Sequence, residues 1–356
     1  MMKPLANLAA AAALLLLAAC TASNDLPRAK GGASFDNAFA AFVAEADSLD
    51  EGLHSIMVVR HGKVIAEKWF GDNAPGIPHA MHSVSKTFTS MAIGLAVEEG
   101  LISLDDRLVD FFPDKLPAEP SEDLMKITVK DLLTMSCGHG KDPTRKIRND
   151  ETIAPEENDW IARFLAEPVS YVPGTYFCYN SLGTYMLSAI FQKVKGEKVA
   201  DFLGPRLFEP LGIEAPEWDE SPAGITCGGW GLHLKTEDMA KFGQLILQGG
   251  KWKGRRLLPE DWIKAASSKQ VECRPAGTTP EQVLERGLTV ENSDWVQGYG
   301  YQMWRCRHGA FRADGAYGQL IIILPEKDAV IAVTAHVKHG MQHEVDQIWK
   351  HLLPAL

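Results

Sequence analysis

The 356-residue chain is short of cysteine, of positive charge and of long apolar runs. Six cysteines are present and none forms C-x-x-C, and a chain of this length does not need a disulfide framework to fold. Lys and Arg number 36 against 46 Asp and Glu, so the net charge is -10. There is no basic stripe and no Arg-rich aromatic platform, which excludes nucleic acid as the expected partner. His336, His339 and His343 have loosely metal-like spacing, but neither H-E-x-x-H nor a cysteine cluster accompanies them. Neither a metal nor any other cofactor is expected. No internal repeat is present. What remains is 46% hydrophobic and 23% charged, enough to build an ample core in one or two domains.

The longest apolar run, residues 5–19 after the basic Lys3, is too short to span a bilayer as a stable helix. It has the form of a secretory leader and ends in Leu17-Ala18-Ala19-Cys20, which resembles a bacterial lipoprotein cleavage box. The resemblance implies a signal peptide over residues 1–19 and lipidation of Cys20. It places the protein in the bacterial cell envelope, facing the periplasm. Thr21 in place of Asp at the next position points to the outer membrane. Residues 20–33 read as a tether, being small, polar and Gly-containing, and the folded domain is expected over 34–356. Without Cys20 five cysteines remain, an odd number that leaves at least one thiol free; Cys273 with Cys306 is the candidate bridge.

Along the domain, residues 35–49 have helical apolar periodicity, and 55–60 and 64–70 read as strands joined by His61-Gly62-Lys63. Residues 101–271 are helical stretches separated by Pro/Gly-rich loops. Strands return at 300–305, 319–324 and 329–335, the last two joined by a turn at 325–328, and a helix closes the chain at 341–353. Strands at both chain ends around a helical middle predict an α+β fold. In it one antiparallel sheet is formed by about 34–100 and 298–356, with flanking helices and a helical insertion over about 101–271. Residues 275–294 carry the weakest structural signal of the C-terminal half.

Three stretches could carry chemistry. In Met81-His82-Ser83-Val84-Ser85-Lys86 the spacing puts Ser83 and Lys86 on one helix face, one turn apart. A hydroxyl becomes a nucleophile when an amine of lowered pKa takes its proton, and the first-turn N–H of Ser83 is free to receive an oxyanion. The helix is expected to be amphipathic, with Phe88, Met91, Ala92, Leu95 and Ala96 facing the core and Gly100 as its left-handed cap. The second stretch, Pro173-Gly174-Thr175-Tyr176-Phe177-Cys178-Tyr179-Asn180-Ser181, reads on composition alone as packing aromatics with polar tips, and otherwise offers a tyrosine hydroxyl as general acid or base. The third, Phe311-Arg312-Ala313-Asp314-Gly315-Ala316-Tyr317-Gly318-Gln319, reads as a Gly-rich turn or as a strand edge supplying a second oxyanion N–H. Asp314 is either a turn residue or an acid near the pocket.

Together these stretches resemble the serine β-lactamase-related superfamily, in the branch of class C β-lactamases, β-lactamase-fold esterases and 6-aminohexanoate-dimer hydrolases. The likeness runs from about residue 50 to 350. It rests on Ser83-Val84-Ser85-Lys86, Leu132-Leu133-Thr134-Met135, Pro173-Gly174-Thr175 with Tyr179, Gly228-Gly229-Trp230-Gly231-Leu232 and Gly315-Ala316-Tyr317-Gly318-Gln319. It implies a β-lactamase/D-Ala carboxypeptidase-like fold with Ser83 as nucleophile and Lys86 and Tyr179 as its proton carriers. The N–H groups of Ser83 and Ala316 would form the oxyanion hole, with Ser181, Asp314 and Gly315 beside the substrate. Two positions depart from the family. Ser181 replaces the Asn of the Tyr-x-Asn motif, with Asn180 displaced by one, and Ala313-Asp314-Gly315 stands where Lys-Thr-Gly is expected. Both losses turn the expectation away from β-lactams and towards a small-molecule ester or amide substrate. The alternatives are a weak β-lactamase or D-amino-acid peptidase and, in another class, a non-catalytic lipoprotein that binds a ligand or the cell wall.

Overall fold

A computed structural model describes residues 25–356; the leader and Cys20 lie outside the described residues. After α1 (Ala33–Ser48) the chain forms the hairpin β1 (Leu53–Arg60) and β2 (Lys63–Trp69), then α2 (Ser85–Glu98). The longest helices of the middle are α3 (Ser181–Lys195) and α4 (Thr236–Leu247). The chain returns through β3 (Trp304–Arg305), β4 (Phe311–Gly315), β5 (Gln319–Leu324) and β6 (Ala329–Ala335) and ends in α5 (Met341–His351). The strands form one six-stranded sheet in the order β2-β1-β6-β5-β4-β3, antiparallel throughout, with Ile56 opposite Val333 where the two chain ends meet.

The sheet is covered on both faces, so its inner strands β5 and β6 and the centre of β1 are largely apolar rather than alternating. Ile56 and Val58 of β1, with Leu320, Ile322, Ile331 and Val333, pack under α1 and α5. Met57 and Val59, with Ile321, Ile323, Val330 and Ala332, join the larger core that holds α2, α3 and α4. Gly243 of α4 explains how close that helix comes: a Cβ there would lie 2.5 Å from a methyl of Val330. Helix α4, which the sequence assigned to the helical insertion, therefore packs directly on the sheet. One continuous core crosses the expected 101–271 boundary.

Other expectations are corrected. Part of the stretch expected as a tether is docked on the domain, because Leu26 is buried, Arg28 bridges to Val64 on β2, and its guanidinium pairs with Glu67 and Glu237; residues 20–24 lie outside the described residues. Helix α2 is not amphipathic: every residue from Ser85 to Ala96 is buried. Gly100 has φ +70°, the left-handed conformation foreseen for it. The 275–294 stretch carries a short helix, Pro280–Glu285, started by a Thr279–Gln282 capping box. Cys273 and Cys306 are not bridged. The Cys273 thiol lies 3.3 Å from the Trp295 carbonyl, and Cys306 Sγ accepts from Arg312 at 3.0 Å.

Candidate active site

Ser83 sits in a single 3-10 turn, His82–Val84, that leads straight into α2. His82 has φ +47°, a conformation rare for a residue with a side chain, and the turn is held by Ser85 Oγ donating to His82 O at 2.7 Å. Lys86, one turn on, is 1% exposed. Its Nζ lies 2.9 Å from Ser83 Oγ, 3.0 Å from Ser181 Oγ and 2.6 Å from the Gly229 carbonyl. No carboxylate forms an ion pair with it among the described residues. Burial is the largest influence on the amine and brings its pKa down to about 7, against a smaller opposing pull from Asp142 and Asp314. A neutral amine has two N–H bonds and one lone pair. The Gly229 carbonyl can only accept, and Ser181 can take the second N–H, so the lone pair is left facing the Ser83 hydroxyl.

The Gly229 contact depends on small residues. A Cβ on Gly229 would fall 2.5 Å from the Ser181 carbonyl, and one on Gly228 2.9 Å from Thr89 Oγ1. The Leu232 N–H donates to Ser85 Oγ at 3.2 Å, tying this segment to α2. Sequence reasoning picked out Gly228-Gly229 as part of a resemblance without a role. Its structural role is to bring a carbonyl onto Lys86.

Tyr179 joins the group from the loop before α3. Its hydroxyl lies next to Ser83, close enough to act on its proton affinity, and Lys86 Nζ stands 5.0 Å from the ring centroid. Burial, with Asp314 next, pushes its pKa well above the ordinary tyrosine value, so it is held as the neutral phenol. The Lys86 amine beside it does not offset this, because burial disfavours its charged form too. Trp304 stacks on Tyr179 at 5.5 Å and fixes the ring. Tyr171 and Tyr176 have another role, stacked on each other at 3.8 Å at the rim.

Ser181, expected beside the substrate, is a hydrogen-bond partner of Lys86. Asn180 does not replace the missing motif asparagine. It caps α3 by accepting from the Gly183 N–H at 3.0 Å, and its amide turns to His139 at 3.1 Å, inside the core.

Gly315 ends β4 against the nucleophile turn: a Cβ there would lie 2.3 Å from Met81 O. The following turn, with Gly318 N–H to Gly315 O at 3.3 Å, begins at Ala316, the residue next to that close approach. Ala313 is buried in the core. Asp314 lies in β4, so it is not a turn residue; it pairs with the fully buried Arg312, whose Nε lies 2.8 Å from its Oδ2, and its charge acts on Lys86 and Tyr179. His336 stacks on Tyr317 at 4.5 Å, whereas His339 bonds to the Leu49 carbonyl and His343 lies 3.6 Å from Glu51. A cleft of about 100 Å³ opens beside Tyr179, lined in part by Lys141, Asp142, Cys178 and Arg274, none of which the sequence reading singled out as a site residue.

A six-stranded antiparallel sheet, a buried central helix and a Ser-x-x-Lys turn facing the sheet edge define the β-lactamase and penicillin-binding-protein class of fold. The Beta-lactamase family pattern matches residues 36–355, and the chain belongs to that family of hydrolases. The 6-aminohexanoate-dimer hydrolase of Paenarthrobacter ureafaciens is 24% identical over 296 residues, 78% of this chain and 71% of the relative. Among solved structures, a penicillin-binding protein homologue from Caulobacter crescentus superposes with a TM-score of 0.68 at 17% identity, covering 92% of this chain and 99% of the other. The hydrolase EstCE1, described as having promiscuous acyltransferase activity, gives 0.67 at 18% identity, covering 90% and 98%. At these identities the two structures show the fold alone.

Proposed function

We propose that this protein is a serine hydrolase that cleaves an ester or amide through an acyl-enzyme on Ser83. The observation that carries the reading is the buried Lys86 amine, without a carboxylate partner and 2.9 Å from Ser83 Oγ. Lys86 takes the hydroxyl proton as Ser83 attacks the substrate carbonyl. The N–H groups of Ser83 and Ala316 receive the developing oxyanion. Tyr179, a neutral phenol in contact with Ser83, passes the proton from Lys86 to the leaving group. Water then attacks the ester on Ser83, with Lys86 again as base.

Two features disfavour β-lactams. Ala313 stands where the family's Lys would hold a carboxylate, and Asn180 is committed to capping α3. The rival reading, a binding lipoprotein, requires no activated serine. Incubation with a fluorophosphonate and mass mapping of the peptide containing Ser83 separates them: one adduct on Ser83 is expected, and folded protein that stays unlabelled refutes the acyl-enzyme reading.

The leader adds a location to the proposal. Lipidation at Cys20 holds the enzyme in the cell envelope on the periplasmic side of the outer membrane. Radiolabelled palmitate should be incorporated into the full-length protein in a bacterial host and lost in Cys20→Ala. Equal labelling of both would rule out Cys20 as the anchor.

A further inference from the structure

The cleft beside Tyr179 contains a guanidinium that the folded chain positions and does not neutralise. Arg274 Nε donates to the Thr278 carbonyl at 3.0 Å, and one of its Nη groups donates to the Phe177 carbonyl. Its guanidinium lies over the Tyr176 ring, 4.1 Å from the centroid. These contacts set its orientation and use part of its five-donor fork, leaving Nη1 without a hydrogen bond among the described residues, and Arg274 lines the cleft. No carboxylate lies within 4 Å of it among the described residues. Glu281, an acid that feels its field, is engaged by Thr279 and its own N–H.

The other charges of the cleft do not cancel it. Lys141 is exposed and adds a second cation. Asp142 is the one acid in the lining, and its carboxylate is already used: Oδ1 accepts from the Thr144 N–H at 3.0 Å and from the Thr144 hydroxyl, and Oδ2 from the Ser181 N–H at 3.4 Å. Two cations against one engaged acid make this a positive cleft in a chain of net charge -10. A local field opposite to that of the whole molecule concentrates anions at that point.

Tyr179 lines the same cleft and, on the acyl-enzyme reading, protonates the departing group. On that reading a leaving half at Tyr179 has the space bordered by Arg274 open to it. We propose that Arg274 forms a leaving-group subsite that selects substrates whose alcohol or amine half carries a carboxylate. The inference rests on the Ser83 acyl-enzyme reading for the word "leaving", but the anion subsite itself is independent of turnover. The carboxylate would be held from the loop flank of the cleft rather than from β4, where Ala313 has no charge to offer.

The test uses two matched pairs: 4-hydroxybenzoate against 4-hydroxybenzamide for binding by calorimetry, and their acetate esters for turnover. Wild-type protein should favour the acid over the amide by about 10-fold in Kd and in kcat/KM, the expected scale for a charge-assisted hydrogen-bond pair. Arg274→Gln should bring both ratios to about one, and Arg274→Lys should keep part of them. Arg274→Lys also controls for the tie to Phe177, because a purely structural arginine would leave the acid-to-amide ratio unmoved while both rates fall. Equal binding of acid and amide by wild type, or a preference that survives in Arg274→Gln, overturns the proposal. Selective binding of the acid without any ester turnover or serine labelling would refute the hydrolase reading and leave the subsite standing; turnover without discrimination would do the reverse.

Discussion

Ser83→Ala should lower kcat on any ester that the wild type turns over by about 10⁴- to 10⁶-fold, and the double variant with Lys86→Met should be no slower than the worse single variant. Groups that act as one unit are strongly non-additive, because the second loss removes a partner that no longer has anything to do. Lys86→Met keeps the length and burial of the side chain and deletes only the amine, which isolates proton transfer from packing. On its own it should cost about 10²- to 10⁴-fold, the usual scale of general-base catalysis. The pH dependence follows from the same geometry. Burial has lowered the Lys86 pKa to about 7, and only the free base can accept the Ser83 proton. Wild-type kcat/KM should therefore rise tenfold per pH unit at acid pH, bend near 7 and level off above it. Tyr179 adds no falling limb in the neutral range, because its pKa is displaced upwards. A profile already flat at pH 5, or a Lys86→Met variant with wild-type rates, would remove Lys86 from the proton path.

The sequence made this part of the molecule legible because the chemistry restricts it. Ser83 and Lys86 must share a helix face, so their spacing survives as a readable pattern. The strands β1, β5 and β6 were legible for a different reason: buried on both faces, they are unbroken apolar runs. β4 was read as a turn because Arg312, Asp314 and Gly315 are residues that a core strand seldom contains. Only the fold shows that the first two neutralise each other and that the glycine permits contact with Met81 O. Asn180 and Ser181 show the limit of motif reading. Shifting an asparagine by one position turned it from the active site into the core, where it caps α3, while Ser181 took the place at Lys86. The tether failed for a simpler cause. Its polar composition hid Leu26 and Arg28, and what they dock on comes from far along the chain, Glu237 at the start of α4 above all. Arg274 carried no local signal, since its importance comes from what it lies against and from the carboxylate it lacks.

Arg312→Met should destabilise the fold by about 3–5 kcal/mol, the usual cost of removing one partner of a buried ion pair. Arg312 is fully buried between the sheet and the active-site aromatics, 4.2 Å over Trp295 and 5.6 Å from Trp304. It donates to Asp314 at 2.8 Å, to the Asp294 carbonyl at 3.0 Å and to Cys306 Sγ. Asp294 has other partners in Arg307, Gln342 and Trp349 and would survive the change. Asp314 would not, because Arg312 is the cation that pairs with it. Burial already raises the Asp314 pKa, with Arg312 and Lys86 opposing, so losing Arg312 moves it further up. The folded variant would then keep a proton that the unfolded chain releases, and unfolding free energy falls as pH rises wherever the native state binds more protons. Urea denaturation should accordingly show a larger loss at pH 8 than at pH 5. Adding Asp314→Leu should recover much of it, because an apolar pair leaves no uncompensated charge in the core. A loss under about 1 kcal/mol, or one that neither pH nor the second substitution moves, would mean that the ion pair is not what holds β4 in place. β4 delivers Gly315 and Ala316 to the nucleophile turn. If Arg312 does anchor it, kcat should fall in Arg312→Met under conditions where the variant is still folded, and return with stability in the double variant.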